Sequence, residues 1–468
     1  METKFDIIVI GSGPGGYASA IRGSQLGYKT AIIEKYDTLG GTCTNVGCIP
    51  TKALLDSTEH YHTAFSKFKT FGIETGKLEL NFPQLIKRKE EVIEQNTAGL
   101  NYLMKKNKIT VFQGTGEFLN NKQIKVQSNN QEPMQLESEY YIIATGSKPS
   151  TIPGVVIDKK RIITSTEALS LKNKPKSLVI IGGGVIGVEM ASIFARIGTE
   201  VTIIEYADSL IPTMDKELGK ELKKLFTRQN IQILLNHKVQ SAFNQGDSAT
   251  VQFLDTADKL KEITADYCLV AVGRKPYTSG LGLENTDIAL NEKGQIITNE
   301  KLQTRVSNIY AIGDVVKGTM LAHKAEEEGI FAAETIHGEK PHINYKLIPG
   351  VVYTWPEIAS VGYTEEELKK ENIEYRVGRF PFSASARARA AMEKDGFTKV
   401  LTDPKYGEIL GIHIIGPRAA DLIAQGVIAM EYEVTDEDMF RISYAHPTYS
   451  ETLKEAYLAS SGQGPINI

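Results

Sequence analysis

Apolar runs of strand length recur along this chain, and two of them open the same longer pattern. Residues 5–35 read "FDIIVIGSGPGGYASAIRGSQLGYKTAIIEK" and residues 177–206 read "SLVIIGGGVIGVEMASIFARIGTEVTIIEY". Each runs from an apolar strand through G-x-G-x-x-G into a helix of small residues, then a Gly, a second apolar strand and a Glu. Continuous apolar runs of this length predict parallel strands buried on both faces. The polar–apolar alternation that follows each copy predicts something else. "QIKVQS" and "MQLESEYYIIATGSKP" lead to Ala144-Thr145-Gly146; "ILLNHKV", "ATVQFLD" and "ITADYCLVAVGRKP" lead to Ala271-Val272-Gly273. Both read as three-strand antiparallel inserts that return to a parallel sheet. Residues 346–468 carry a new β-rich pattern followed by helices.

The spacing of the glycines has a physical reading. Gly11, Gly13 and Gly16 precede Glu34, and Gly182, Gly184 and Gly187 precede Glu205; each acid lies 23 residues beyond its first glycine. The first glycine makes a tight turn, the second lets a pyrophosphate touch backbone, and the third lets helix approach strand. The helix N-terminus offers N–H groups to the phosphates, and the acid accepts from a ribose. Two Rossmann-like dinucleotide-binding domains with antiparallel β inserts are therefore expected, followed by a C-terminal α+β domain: an α/β protein. The expected boundaries are 1–150 with 275–345, 151–274, and 346–468. The first copy spans 135 residues from Gly11 to Gly146 and the second 91 from Gly182 to Gly273, an excess of 44.

At 468 residues, one hydrophobic core is too few. A net charge of −4 gives no nucleic-acid surface and no polybasic membrane anchor, and no apolar run approaches a membrane span. The first strand begins by Phe5, which leads us to expect no leader and a cytoplasmic location. Of three cysteines, two lie in "GGTCTNVGCIPTK", within the excess of the first copy. On a regular helix, residues five apart stand about 140° apart around the axis and about 7.5 Å apart at Cα. That exceeds the disulfide limit of roughly 7 Å. A close pair therefore needs a distorted turn, which Gly41, Gly47 and Pro50 permit. A helix N-terminus there would lower a thiol's pKa, and Lys52, at i+4 from Cys48, shares its face. A redox pair, two inert thiols and half a zinc site all fit this pattern. Zinc needs further ligands that no local spacing supplies, and His60 and His62 read as solvated. Cys268 reads as a core hydrophobe.

The cysteine segment resembles the active-site signature of the flavin disulfide reductases. "ATGSKP", "YAIGDV", "VVYTWPEIASVGYTEEEL" and "HPTYSE" follow in that family's order, so the resemblance spans nearly the whole chain. It implies FAD on the first copy and NAD on the second, with no metal, and makes the C-terminal α+β domain the interface (dimerisation) domain. Cys43 would exchange with substrate and Cys48 would lie against the flavin. Lys52 would sit at the flavin's reactive edge with Glu189 as its ion-pair partner. The other implied FAD contacts are Gly11, Gly13, Gly16, Glu34, Gly41 and Thr42, then Gly116, Thr145, Gly146, Ser147 and Asp314. Met320, Leu321, Ala322 and His323 complete them, His323 as a packing or backbone-contact residue. NAD would meet Gly182, Gly184, Ile186, Gly187, Glu189, Glu205, Val239 and Gly273. His446 would be the proton acceptor, with Glu451 orienting its ring. Tyr444 departs from the pattern, since many relatives carry a second His there.

The implied reaction is oxidation of protein-bound dihydrolipoyl groups by NAD⁺. The implied partners are a second copy of the chain and a lipoyl-bearing acyltransferase or H-protein of a 2-oxoacid dehydrogenase or glycine cleavage complex. The runner-up is a glutathione-reductase-like enzyme. Such relatives hold NADP with arginines after the second strand, whereas "EYADSLIPTMD" contains no Arg or Lys.

Overall fold

The computed structural model describes residues 3–128 and 132–467. The chain opens with β1 (Lys4–Ile10), α1 (Pro14–Gln25) and β2 (Thr30–Glu34). Pro14 takes the first helical position of α1, where its fixed φ and missing N–H cost nothing. Most of the extra length of the first copy goes into α2 (Gly41–Val46), α3 (Cys48–Ser66) and α4 (Phe82–Lys106). Then come β3 (Thr110–Gln113), β4 (Thr115–Asn120), β5 (Gln123–Gln127), β6 (Met134–Ile143) and β7 (Ser147–Pro149). The second copy holds β8 (Ile162–Ile163), α5 (Ser165–Ala168), β9 (Ser177–Ile181), α6 (Val185–Arg196), β10 (Glu200–Glu205), α7 (Lys216–Arg228) and β11 (Gln232–Leu235). Its insert is β12 (Lys238–Asn244), β13 (Ala249–Leu254) and β14 (Leu260–Ala265), followed by β15 (Tyr267–Val270). After β16 (Arg274–Pro276), β17 (Ile309–Ala311) and α8 (Ala322–His337), the last stretch begins. It comprises β18 (Gly350–Val352), β19 (Glu357–Gly362), α9 (Glu365–Glu371), β20 (Arg376–Pro381), α10 (Ala386–Ala390), β21 (Phe397–Thr402), β22 (Ile409–Gly416), α11 (Ala419–Glu431), α12 (Asp436–Arg441) and α13 (Glu451–Ser460).

These elements form two compact units. One takes the chain up to Ala53, Pro83–Ser150 and Gly273–Ile343; the other takes Leu54–Phe82, Thr151–Val272 and the chain from Asn344. In the first unit the sheet order is β3-β2-β1-β6-β5-β4, with β17 also on β6. β6 serves twice: its first half runs antiparallel to β5, while its second half runs parallel to β1 and β17. Strand alternation divides the β1 side chains between two cores. Ile8 and Ile10 join Phe118 and Tyr141, whereas Ile7 and Val9 pack with Ala20, Ile142 and Ala332. Burial on both faces is what a continuous apolar run requires.

The second unit holds a parallel sheet, β11-β10-β9-β15-β8, a three-stranded antiparallel sheet, β12-β13-β14, and a five-stranded sheet, β18-β19-β22-β21-β20. Here the expected insert needs correction. "ILLNHKV" is not one strand: β11 closes the parallel sheet, Asn236 turns the chain at φ 59°, and β12 then opens the insert. "ITADYCLVAVGRKP" likewise breaks between β14 and β15, whereas β6 runs unbroken in the first copy. Among the described residues, no helix is long and apolar enough to cross a membrane.

In the same unit, β21 is buried along its length, and the fully buried Lys399 ammonium meets Asp215 at 3.1 Å and Glu365 at 2.6 Å. Asp215 also caps α7 by accepting from the Glu217 N–H. Burial works against the charge on Lys399, but the carboxylates around it outweigh that and raise its pKa.

Candidate active site

The two glycine loops divide their work in the same way. Gly11 has φ +100°, and a Cβ there would stand 2.5 Å from the Ala144 carbonyl oxygen. A Cβ on Gly16 would stand 1.9 Å from the Gly11 oxygen, so helix and turn leave no room for one. Gly13 is different: at φ −64° its Cβ would meet nothing within 4 Å. The second loop repeats this. Gly182 (φ +107°) and Gly187 are blocked by Ala271 and Gly182 oxygens at 2.5 and 2.0 Å, and Gly184 is open within 4 Å. Among the described residues nothing needs Gly13 or Gly184 to lack a side chain; a close-approaching diphosphate does. The loops fit dinucleotides.

Each acid ties its loop to the strand end. Glu34 Oε2 accepts from Ser12 N at 3.0 Å and Ser12 Oγ at 2.6 Å, and Oε1 accepts from Tyr36 N at 2.9 Å. Glu205 accepts from Gly183 N and, at 2.7 Å, from Ala207 N. The sequence pattern assigns these carboxylates to ribose alone. They also fix the backbone whose N–H groups face the loop.

Around the first loop, Gly41 (φ +56°) would place a Cβ 2.8 Å from the Gly13 Cα, so α2 begins against the glycine turn. Thr42 is exposed. Thr145 donates to the Tyr277 carbonyl at 2.7 Å, following the Gly146 (φ +69°) side of the β6 exit. Ser147 donates to Asp314 and receives Arg274 Nε at 2.7 Å. Gly313, before Asp314, is clasped by a buried ion pair: its N–H donates to Glu328 at 2.7 Å, and Glu328 meets Lys324 at 2.8 Å. Met320, Leu321 and Ala322 are half-buried at the start of α8. His323 is exposed. Gly116 is buried, and a Cβ there would crowd Ile124 at 2.9 Å, so core packing already accounts for it. Around the second loop, Ile186 and Val239 are half-buried, and Gly273 (φ +111°) is open within 4 Å. Glu189 is buried and accepts from Tyr353 N at 2.9 Å.

The cysteines straddle a helix break. Cys43 lies on α2, Gly47 interrupts at φ −138° and ψ −113°, and Cys48 opens α3. That break is the distortion the spacing demanded. The two stand as thiols, hydrogen-bonded to each other, with Cys43 half-buried and Cys48 exposed. The pKa of Cys43 lies above the ordinary thiol range. The hydrogen bond with Cys48 raises it most, then burial, then the charges of Cys48 and Glu326, while Lys52 pulls weakly the other way. Cys48, not Cys43, holds the α3 N-terminus at which the helix dipole is expected to act. Cys268 is buried in the insert-side core, and burial pushes its thiol up to about 12. His60 is exposed as expected, but His62 is half-buried and burial lowers its pKa.

Two groups beside the cysteines escape any reading of the sequence. Tyr17 on α1 donates to Glu326 on α8; the Glu326 charge acts on Cys43, and both cysteines act on the Tyr17 phenol. They lie 309 residues apart in sequence, so no local pattern could join them.

In the second unit His446 Nδ1 meets Glu451 Oε1 at 2.8 Å, and the other Glu451 oxygen accepts from Thr448 N at 2.8 Å. Glu451 is the first residue of α13, so the rigid helix and Thr448 together aim the carboxylate. The His446 side chain is 73 % exposed, leaving Nε2 able to meet an incoming group. Tyr444 is half-buried, its hydroxyl finds no hydrogen-bond partner among the described residues, and burial pushes its pKa up to about 12.

Residues 5–329 match the family described as pyridine nucleotide-disulphide oxidoreductase, and residues 348–457 match that family's dimerisation domain. Dihydrolipoyl dehydrogenase 2, mitochondrial, of Arabidopsis thaliana is 44 % identical over 457 residues, covering 97 % of this chain and 90 % of that one. Dihydrolipoamide dehydrogenase of Chaetomium thermophilum is 45 % identical over 461 residues, covering 98 % and 92 %. Among solved structures, a Cu(II) complex of the HOCl-induced flavoprotein disulfide reductase RclA from Escherichia coli superposes with a TM-score of 0.88 at 28 % identity, covering 97 % of this chain and 99 % of that one.

Proposed function

The chain belongs to the pyridine nucleotide-disulphide oxidoreductase family, and from that membership we propose that it oxidises protein-bound dihydrolipoyl groups with NAD⁺. The observation that carries this reading is a hydrogen-bonded thiol pair on a helix break, next to a glycine loop with one open position. FAD and NAD are the cofactors. FAD would be held by the loop at Gly11, Gly13 and Gly16, by Glu34 and by Asp314; NAD would be held by the loop at Gly182, Gly184 and Gly187, and by Glu205. The chemistry FAD supplies when bound is acceptance of an electron pair from a dithiol and its delivery as hydride to NAD⁺.

The chain's own groups do the rest. His446 Nε2 takes the proton from one dihydrolipoyl thiol, with Glu451 fixing the ring through Nδ1. The resulting thiolate attacks Cys43 Sγ in the oxidised pair, and the Cys43–Cys48 bond breaks with its electrons moving to Cys48. The second dihydrolipoyl thiol attacks the substrate sulfur bound to Cys43, and its proton passes to Cys43 Sγ as that sulfur leaves. Lipoyl disulfide leaves, and Cys43 is a thiol again. Substrate loses two electrons and two protons; the cysteine pair gains the electrons. Lys52 is proposed at the flavin edge and Glu189 near the nicotinamide.

The partners proposed are a second copy of this chain, which the dimerisation domain supports, and a lipoyl-bearing acyltransferase or H-protein. The test is a pair of steady-state rates. Fast NAD⁺ reduction by free dihydrolipoamide, with negligible NADPH oxidation by glutathione disulfide, is expected; the reverse ranking would overturn the assignment.

A further inference from the structure

The charged and titratable groups around the cysteine pair come from several elements of the first unit. Tyr17 lies on α1, Cys43 on α2, Cys48 and Lys52 on α3, Glu326 on α8 and Arg274 on β16. α1 and α8 approach closely through small residues: a Cβ on Gly329 would stand 2.5 Å from the Gly15 oxygen. That approach brings the Tyr17 hydroxyl to Glu326 Oε1 as a donor. α2 begins against Gly13, one helical turn before Tyr17, so the Tyr17–Glu326 pair lies beside the cysteine pair; both sulfurs act on the Tyr17 phenol, and the Glu326 charge acts on Cys43. Arg274, in the field of Asp314, faces Cys48 instead. Cys48 also opens α3, where the helix dipole favours a negative sulfur.

We infer that Glu326, held by Tyr17, is a positioning residue that keeps the shared proton of the reduced pair on Cys43 and so leaves the thiolate on Cys48. The inference rests on the dithiol reading above and adds a cause for the unequal sulfurs. Two thiols in hydrogen-bond contact titrate as a pair, so a charge on one side decides where the single proton rests. A carboxylate beside Cys43 opposes a second negative charge there and outranks the opposing pull of Lys52, while Arg274 and the α3 terminus favour a charge on Cys48. The rise in the Cys43 pKa agrees, with the Cys48 hydrogen bond and burial contributing before Glu326. Burial and Glu326 also keep the Tyr17 phenol protonated, so it remains the donor that anchors the carboxylate.

The holoenzyme, reduced by one equivalent of dihydrolipoamide, would be treated with iodoacetamide across a pH series. Mass spectrometry separates Cys43 from Cys48 and Cys268. In Glu326→Gln, Cys43 should alkylate roughly tenfold faster near neutral pH, the equivalent of one pKa unit, and its pH profile should move down. Glu326→Asp keeps the charge and should return the profile toward that of the parent; Tyr17→Phe, which keeps the carboxylate but removes its anchor, should fall between. Tyr17→Phe supplies the answer if the Gln variant does not fold. A Gln profile superimposed on the parent's, or an Asp variant behaving like Gln, overturns the inference. A parent that shows a thiolate–flavin colour alongside unresponsive variants sinks this inference alone. A parent with neither colour nor dihydrolipoamide turnover sinks the dithiol reading and this inference with it.

Discussion

Glu205 cannot swing aside to admit a larger coenzyme, because both of its oxygens are committed to backbone N–H groups. A 2′-phosphate brought to about 4 Å from its charge would be opposed by about 4 kcal/mol at an effective dielectric near 20. NADPH should therefore show kcat/KM lower than NADH by about 100-fold or more; comparable values in a coenzyme titration would remove Glu205 from its assigned place. The two sulfurs should also prove unequal. Cys43→Ser should leave Cys48 able to colour the flavin as a thiolate, and Cys48→Ser should leave a colourless thiol that alkylates faster. Absorption spectra decide this, and a coloured Cys48→Ser protein would exchange the two roles. The residues of this site were legible in the sequence as far as spacing reaches. Five positions with Gly47 between them demanded a broken helix, and His446 with Glu451 demanded a turn. Tyr17 and Glu326 were not legible, since only the packing of α1 on α8 joins them. The raised Cys43 pKa was not legible either, since the Cys48 hydrogen bond and the burial that cause most of it come from packing.

Helix, strand and turn make separate demands on glycine, and substitution should separate them. Gly16→Ala forces a Cβ to 1.9 Å from the Gly11 oxygen and should prevent a stable first unit. Gly13→Ala puts its methyl in open space at an ordinary φ, so the protein should fold with its melting temperature little changed yet bind FAD poorly. Flavin fluorescence and a thermal melt of the apoprotein check both halves, and a Gly13→Ala protein with full FAD affinity would contradict the loop's assignment. On β21, the fully buried Lys399 is a liability unless paired. Lys399→Met should cost about 3–5 kcal/mol, because it strands buried carboxylates; a melt within a degree of the parent would contradict this. The same cluster sets an acid limit. Burial opposes charge on Glu365, but hydrogen bonds from Lys369, Lys399 and Tyr375 bring its carboxyl down to about 2, and the charges of His413 and Lys399 lower that of Asp215 despite burial. Their stabilisation is fully present above the ordinary carboxylate pKa of roughly 4 and is lost as pH falls below it toward the folded values. Denaturant midpoints measured from pH 6 to pH 2.5 should fall mainly below roughly pH 4, less steeply in Lys399→Met. Much of the fold was legible at this scale, because buried parallel strands write continuous apolar runs. The insert of the second copy was not: β11 and β12 share one apolar stretch, and only the left-handed turn at Asn236 divides them.

Two copies of this chain should be needed for one working site, if His446 serves the cysteine pair of its partner. Cys43→Ser and His446→Gln proteins, each nearly inactive, would be mixed and allowed to exchange subunits. Random pairing makes about half the dimers mixed, and each mixed dimer has one intact site, so about a quarter of all sites should recover. Exchange shown by mass, without recovered activity, would place the base within its own chain. A different consequence follows from β6, whose second half pairs with β17. The sheet of the first unit draws its final strand from residues 309–311, beyond the whole stretch Thr151–Val272 that belongs to the other unit. A ribosome therefore delivers the middle of the second unit before it delivers the strand that completes the first. Until then β6 presents an open edge, and such edges recruit other strands. Synthesis order thus makes the emerging chain most dependent on chaperones between the exit of Ile143 and that of Ala311, a window in which truncated chains should aggregate and slightly longer ones should not.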